Sequence, residues 1–291
     1  MQASPPDKLF KYVSPKPRVV EDLFGHLLIR YTHPSCFNDP FDMLPCIEPV
    51  TDSDRQHSLD TACRGQYRRY VLSRSGMSTP PSSFDEFRNN RWLEWNQPNL
   101  NTLEGDYKKR ALNQFQKDHE DVGVLSLTAN DESLLMWAHY AQSHKGMLIE
   151  FRPSKLFTEP EKLLVEVEYS SKRPSVNIGI SGQQDDFSKK TAPYRVKSCE
   201  WQYEAEWRAF ALLSTCNKRV VSDENEVIQF FRLSPHAIQR IVLGCRISKP
   251  DQEMLLRAVK SNRELRHVRI EHAEIEEKEF RLNYMPGPNP F

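Results

Sequence analysis

Residues 201–210 read Trp-Gln-Tyr-Glu-Ala-Glu-Trp-Arg-Ala-Phe, and this alternation predicts a strand with Glu204, Glu206 and Arg208 on one face. Carboxylates packed side by side raise one another's pKa, orient a sugar hydroxyl or stabilise a cationic transition state. An ion-paired strand facing solvent would show the same pattern. The aromatic rings on the opposite face favour a deeply seated strand, whose charged face needs partners or a wet cleft. We therefore predict Glu206 and Glu204 as catalytic carboxylates and Arg208 as a substrate ligand.

Residues 137–146 carry a second set of polar groups, of which His139, Tyr140 and Lys145 are predicted to complete the pocket, with His139 in a catalytic role. His139 and His144 are five residues apart, about 140° around a helix, whereas metal ligands on one face need a spacing of three or four. No metal site is therefore predicted. His139 could equally be a hydrogen-bonded helix residue, and the helix dipole alone would explain a cation at Lys145.

Residues 37–42, Phe-Asn-Asp-Pro-Phe-Asp, predict a rigid turn, because proline forces the preceding residue out of helical geometry and Asx side chains favour turns. The two phenylalanines would anchor this turn to a core. Asn38 and Asp39 would then either serve the turn alone or present polar atoms to a ligand, and the sequence leaves both interpretations open.

Other catalytic chemistries find little support. The six cysteines are far apart without a Cys-x-x-Cys pair or a neighbouring histidine, which indicates free thiols of a reducing compartment. The sequence lacks a phosphate-binding glycine loop and a dinucleotide fingerprint.

The elements that must position these groups indicate an α+β fold. Residues 1–50 predict a strand, a short helix and a strand, as the N-terminal part of the core. Residues 51–120 are polar with spaced aromatics and predict a helical insertion, and residues 121–291 complete the core. In this last part, strands at 122–127, 146–151, 163–169 and 238–243 outnumber the helices at 133–142 and after Ser248. Residues 171–192 predict a mobile loop.

The composition bounds the function only weakly. The chain has 291 residues with 40 basic and 40 acidic side chains, so no net charge draws it to nucleic acid or to an anionic membrane. Its N-terminus lacks the features of a signal peptide, and no run of about eighteen apolar residues occurs. We expect a cytoplasmic protein without membrane contact.

Four landmarks occur in order along the chain: residues 9–12 (Leu-Phe-Lys-Tyr), residues 37–42, residues 135–146, and Lys197 followed by residues 201–208. Together they resemble the bacterial domain of unknown function 2971 family (DUF2971) over residues 9–245. This resemblance bears on the fold more than on the reaction.

The layout of an early strand, short helix and strand, with a glutamate on a late strand, is similar to that of ADP-ribosyltransferases, including toxins that modify DNA. The similarity implies a central, mainly antiparallel sheet with flanking helices, NAD as the cofactor and no metal. It would make Glu206 or Glu204 the glutamate that stabilises the ribosyl cation and Tyr31 the aromatic residue on nicotinamide. Lys11 stands where that family has histidine or arginine, and Tyr12 beside it would also contact substrate.

Taken together, these resemblances suggest a prokaryotic toxin-like or antiphage defence effector that uses NAD to modify a nucleic acid or a protein. An antitoxin or other partner gene product would accompany it. Two alternatives stay open: a non-enzymatic sensor module that binds a nucleotide or a partner, and a metal-dependent nuclease built on Asp39, Asp42 and Glu206.

Overall fold

In the computed structural model of the protein, residues 4–48, 52–74, 82–95, 100–156, 164–176, 192–222 and 225–288 are described, and all structural statements below concern these residues. The predicted mobile loop at 171–192 lies mostly outside them, at 177–191.

The strands are β1 Leu9–Val13, β2 Leu28–Tyr31, β3 Cys46–Ile47, β4 Val122–Thr128, β5 Met147–Phe151, β6 Leu164–Glu166, β7 Glu168–Ser170, β8 Ser175–Val176, β9 Val196–Ser198, β10 Glu206–Leu212, β11 Lys218–Val221, β12 Val227–Arg232, β13 Ile238–Leu243, β14 Arg269–Ile275 and β15 Leu282–Pro286. The helices are α1 Pro17–Val20, which continues into a π-helical turn at Glu21–Gly25, α2 Asp52–Ser73, α3 Phe84–Trp95, α4 Leu100–Asp118, α5 Leu134–Tyr140 and α6 Lys249–Ser261.

The chain divides into two compact units. Unit 1 comprises Met1–Met43, Asp121–Lys172 and Tyr194–Phe291, and unit 2 comprises Leu44–Glu120 and Arg173–Pro193. Unit 2 contains α2, α3 and α4 together with the short parallel pair of β3 and β8.

Unit 1 is built on an eight-stranded sheet with the strand order β15-β14-β13-β5-β1-β4-β10-β6. Its neighbours are antiparallel except for the parallel pair β13 and β14. A second sheet of β11, β12 and β2 is antiparallel throughout. The prediction of an α+β fold with a mainly antiparallel central sheet is therefore confirmed.

One face of the large sheet packs on the main apolar core, and the other carries a smaller apolar cluster with α5 beside a row of charged groups. Leu125 and Leu127 of β4, with Trp207 and Ala209 of β10, face an apolar core to which Leu255 and others on α6 also contribute. The residues that alternate with them point to the opposite face.

On that opposite face, one transverse row crosses five strands. Arg240, Glu150, Phe10, Thr128 and Glu206 are successive paired neighbours on β13, β5, β1, β4 and β10. Because directly paired residues of antiparallel strands point to the same side, charged groups lie on both sides of Phe10.

The predicted ten-residue strand at 201–210 is wrong in its first half. Residues Cys199–Glu204 form a 3₁₀-helix, Ala205 adopts a left-handed conformation with φ 42°, and the strand starts only at Glu206. Trp201 and Tyr203 therefore do not share a strand face with Trp207. Period-two alternation of aromatic residues does not require a strand, since hydrogen bonds local to Ser198 and Gln202 stabilise the tighter turn.

The helix before Gly146 is shorter than predicted. It begins at the cap Ser133, whose side chain accepts from the amide of Met136, and it ends at Tyr140 instead of Gln142. The residues with positive φ after the helix are Gln142, Ser143 and His144. Gly146 is needed for close packing, because a Cβ there would lie 2.3 Å from the carbonyl oxygen of Val13.

Within the described residues no helix is both long and apolar enough to span a bilayer. All six cysteines are free thiols.

Candidate functional site

A cavity of about 420 Å³ opens in unit 1, on the face of the large sheet that carries Glu206. It is lined by Phe10, Lys11, Tyr12, Arg30, Thr32, Cys36, Phe37, Asn38, Asp42, Val124, Ser126, Leu127, Thr128, Met136, His139, Tyr140, Lys197, Glu204 and Glu206.

The wall of this cavity contains a buried ionic cluster. Lys197 lies at its centre and contacts three carboxylates: those of Glu204, Glu206 at 3.0 Å and Asp42 at 3.6 Å. The Lys197 ammonium also lies 5.1 Å from the ring centroid of Trp201, within reach of a cation–π contact. The cluster joins groups from β9, the 3₁₀-helix, β10 and the turn after β2.

Arg208 supplies the second cation and is fully buried. Its guanidinium donates to both oxygens of Glu206, at 2.8 Å and 2.9 Å, and to Asp42 at 2.7 Å. A planar guanidinium with fixed donor directions can hold two carboxylates at once. The positions of Asp42 and Glu206 are thus set by one side chain.

The three carboxylates of the cluster differ in acidity. Burial alone would raise the pKa of Glu206, but the charges of Arg208 and Lys197 outweigh it and lower that pKa to about 2. For Glu204 and Asp42 burial prevails over their cationic partners, so the pKa of each is raised. Glu206 is therefore the most acidic of the three carboxylates, and Glu204 and Asp42 hold a proton more readily than it does.

Glu204 is held from three directions. The hydroxyl of Tyr140 donates to Oε1 and Lys197 donates to Oε2, while the main-chain carbonyl accepts from the hydroxyl of Thr128. Asn38 donates to the Tyr140 hydroxyl at 3.3 Å. Asn38, Tyr140 and Glu204 therefore form a chain of hydrogen bonds from the exposed rim to the buried cluster.

Lys11 contributes a cation to the side of the cavity formed by β1 and β4. Its ammonium donates to the main-chain carbonyl of Ser126 at 2.9 Å. Burial lowers the pKa of Lys11 to about 8, the nearby charge of Arg30 acts in the same direction, and that of Glu206 opposes it. Near neutral pH this ammonium is charged yet has a neutral partner, so it can accept an anionic group.

Two buried polar atoms of the lining have no hydrogen-bond partner among the described residues: Oδ1 of Asp42 and Nε of Arg30. One is an acceptor and the other is a donor. Both atoms are out of contact with solvent, and unpaired buried polar atoms are costly, so they lower the stability of the structure around the cavity.

The structure brings most of the predicted site residues together. Glu204, Glu206, His139, Tyr140, Asn38, Lys11 and Tyr12 all line the cavity, and Arg208 lies directly behind Glu206. His139 is exposed at the rim and bonds to the hydroxyl of Tyr203 at 3.0 Å. The hydroxyl of Tyr12 donates to the main chain of Asn130.

Three predicted ligands lie elsewhere. Tyr31 is in the apolar core against the ring of Phe231, because alternation along β2 turns it away from the cavity. Asp39 accepts from the amide of Phe41 at 2.9 Å and serves the turn, outside the cavity lining. Lys145 is exposed and does not line the cavity.

Sequence reasoning missed Lys197 and Arg30 as site residues and used Asp42 only for the nuclease alternative. Arg30 could have been found, since it alternates with the core residue Tyr31 on a short strand. For Lys197 and Asp42 no local pattern was available, because their burial depends on partners distant in sequence.

The cluster does not favour the nuclease alternative. In the part of the chain that the structure describes, no three His, Cys, Asp or Glu side chains are grouped as metal ligands. Asp39 is outside the cavity, and the oxygens of Glu206 already accept from Arg208 and Lys197.

Comparison with known families bears on this same region. The family model described as "Protein of unknown function (DUF2971)" matches residues 136–209. The resemblance predicted from the sequence is thereby confirmed for these residues, which include Tyr140, Lys197, Glu204, Glu206 and Arg208. No curated protein and no solved structure matches the chain.

Proposed function

We propose that this protein is an ADP-ribosyltransferase-like enzyme that binds NAD in the cavity of unit 1 and transfers ADP-ribose to a nucleic acid or protein target. The observation that carries the proposal is a lining that holds both the ionised carboxylate of Glu206 and the ammonium of Lys11, whose hydrogen-bond partner is a neutral carbonyl. A ligand that fits such a lining offers both anionic groups and hydrogen-bond donors. NAD has hydroxyl and carboxamide donors as well as phosphate acceptors.

The distribution of charge on the lining supports a ligand of this kind. Lys11 and Arg30 are cations without a buried carboxylate partner, since Lys11 bonds to a carbonyl and Arg30 pairs with the half-exposed Glu226. They suit phosphate groups. The carboxylates of Glu204 and Asp42 suit ribose hydroxyls, which donate hydrogen bonds.

Glu206 is suited to stabilise developing positive charge. Its low pKa keeps it ionised at neutral pH, and its position in a wall of fixed charges requires no reorganisation during reaction. In the proposed reaction the bond from ribose to nicotinamide breaks with its electron pair leaving on nicotinamide. A nucleophile of the target then bonds to the same ribose carbon and loses its proton.

The raised pKa of Glu204 fits it to receive that proton, and the Tyr140 hydroxyl would hold the carboxyl in place. The ADP-ribosyltransferase-like fold and the toxin-like or antiphage role belong to the same proposal. The fold is supported by the glutamate that begins a late strand of a mainly antiparallel sheet, and the role follows from the resemblance to ADP-ribosyltransferase toxins. An antitoxin or other partner protein would restrain such an activity.

The test compares wild type with Glu206→Gln and with the control Glu166→Gln, which removes an exposed carboxylate from the neighbouring strand β6. Nicotinamide release from NAD and binding of NAD by calorimetry are both measured. We expect Glu206→Gln to lose on the order of a hundredfold in rate while it still binds NAD, and Glu166→Gln to match wild type. Equal rates in all three proteins would overturn the assignment of Glu206.

A second candidate, a nucleotide-binding module without catalysis, is favoured by one specific observation. Both oxygens of Glu206 are already engaged by Arg208 and Lys197, which leaves less of its charge for a reacting centre. Binding of NAD or another nucleotide without any turnover by wild type would select this candidate. A protein that neither binds nor consumes NAD would contradict the NAD proposal.

A further inference from the structure

We propose that a second groove of unit 1, separate from the cavity described above, binds the phosphate groups of an anionic ligand. The groove has a volume of about 890 Å³. It is lined by Pro5, Pro6, Asp7, Lys8, Glu150, Phe151, Arg152, Pro153, Ser154, Leu164, Gln239, His267 and Arg269. None of these residues lines the first cavity, so the two sites can be tested independently.

Three cations converge on this groove from separate parts of the chain. Lys8 precedes β1, Arg152 follows β5 and Arg269 begins β14. Arg152 and Arg269 are exposed, and within the described residues neither side chain has an ion pair or a hydrogen bond. Most other arginines around the sheet, such as Arg240 and Arg208, are paired. The groove therefore differs from the rest of the sheet surface in holding two guanidinium groups without a carboxylate partner among the described residues.

The acidic residues of the groove do not cancel this positive charge. Glu150 is buried, and its carboxylate already accepts from Arg240 at 2.7 Å and contacts Lys8 at 3.4 Å. The second acid, Asp7, is exposed. Arg240 also pairs with Asp131 and Glu271, so Lys8 helps to balance the charge of Glu150. Arg152 and Arg269 then face the exposed carboxylate of Asp7 as the other acid of the groove.

Phosphate is the ligand chemistry that these groups fit. A guanidinium donates two parallel hydrogen bonds to phosphate oxygens, and two arginines with a lysine can hold successive or branched phosphate groups. The buried side chains of Phe151 and Leu164 provide a firm apolar floor. The ring of His267 lies 5.2 Å from that of His236 at the groove edge, where a base or sugar can pack.

The phosphates can belong to a small molecule or to a nucleic-acid strand. Glu150 of the groove and Phe10 of the first cavity are directly paired across β5 and β1. Strands are about 4.8 Å apart, so Glu206 lies three strand spacings, about 14 Å, from Glu150. A bound strand could reach from the groove to that site. The proposal of phosphate binding does not depend on the activity proposed for the first cavity.

The experiment measures binding of two probes to the full chain: inorganic pyrophosphate by calorimetry, and a short fluorescent single-stranded oligonucleotide by anisotropy at several salt concentrations. The test protein is the double variant Arg152→Gln/Arg269→Gln. The control is Arg219→Gln/Arg257→Gln, which removes two exposed arginines on β11 and α6. Thermal unfolding confirms that all proteins are folded, which is expected because the exchanged side chains are exposed.

We expect wild type and control to bind at least one probe, and the groove variant to bind it at least tenfold more weakly. Binding of pyrophosphate alone identifies a small phosphate ligand. Tighter, salt-dependent binding of the oligonucleotide identifies a nucleic acid. If neither probe binds, or if the groove variant and the control bind equally, the inference is overturned. If the groove variant consumes NAD at the wild-type rate, its loss of phosphate binding is independent of the activity proposed for the first cavity.

Discussion

The guanidinium of Arg208 donates a hydrogen bond of 2.7 Å to the carboxylate of Asp42, which lies 166 residues earlier in the chain. This contact ties the turn after β2 to the start of β10. With Lys197 it places three carboxylates and two cations in one buried cluster on the wall of the cavity. The cluster therefore both connects these two distant segments of the chain and forms part of the candidate site.

Removal of the Arg208 charge should strongly destabilise the protein. Arg208→Met leaves the buried carboxylates of Asp42 and Glu206 without their guanidinium, and breaking a buried ion pair from one side costs about 3–5 kcal/mol. The free energy of unfolding in urea measures this loss. The control Arg219→Gln, on the exposed face of β11, should stay within about 0.5 kcal/mol of wild type. A comparably small effect of Arg208→Met would show that the cluster contributes little to stability.

The free energy of unfolding should fall in acid, partly because Glu206 becomes protonated. Its pKa falls from an ordinary 4.5 to about 2 on folding, so its stabilising contribution is complete above pH 4.5 and is lost as the pH falls toward 2. The raised pKa values of Glu204 and Asp42 act in the opposite direction. Between about pH 5 and pH 3, wild type should thus lose more unfolding free energy than Glu206→Gln, by on the order of 2 kcal/mol. Parallel curves for the two proteins would contradict the depressed pKa.

Binding of an anion in the cavity should depend on the charge of Lys11. Because burial lowers its pKa to about 8, the ammonium is charged below that pH and neutral above it. The dissociation constant of NAD should therefore rise by about tenfold from pH 7 to pH 9 in wild type. In Lys11→Met it should be weak and nearly constant over that range. Calorimetry at each pH gives both curves, and an identical pH dependence in the two proteins would exclude Lys11 as its source.

Glycine should stabilise the protein more than the native alanine does at position 205. Ala205 has φ 42° and ψ 53°, a left-handed conformation that strains a residue with a Cβ and that glycine adopts freely. Ala205→Gly should raise the free energy of unfolding by about 0.5–1 kcal/mol, since relief of strain exceeds the added entropy of the unfolded chain. Thermal unfolding measures the gain. Ala209→Gly, inside β10, is the matched control and should instead destabilise.

Several elements could be predicted from local pattern alone. The apolar run of β13 and the start of α6 at Ser248, whose side chain accepts from the amide of Asp251, both lie close to the expected positions. Each of these signals is encoded by residues within one or two turns of one another. Where the local preferences of the residues agree with the final fold, the sequence alone is enough to predict the element.

Residues 201–210 show where such reasoning fails. The alternation correctly placed Glu206 and Arg208 on one side of a strand, but it extended the strand through a 3₁₀-helix and a left-handed residue. Glu204 still reaches the cavity because Tyr140, Lys197 and Thr128 hold it there. Glu204 therefore belongs to the site because of these contacts, and not because of the two-residue alternation on which the prediction was based.

The sequence by itself determined which residue types could form a charged site and on which strands most of them lie. Only the tertiary structure decided that Lys197 and Asp42 belong to that site, that Tyr31 and Asp39 do not, and that Glu204 and Glu206 have opposite shifts in pKa. The physical reason is that burial and ion pairing depend on groups brought together from distant parts of the chain. A local pattern carries no information about their distances.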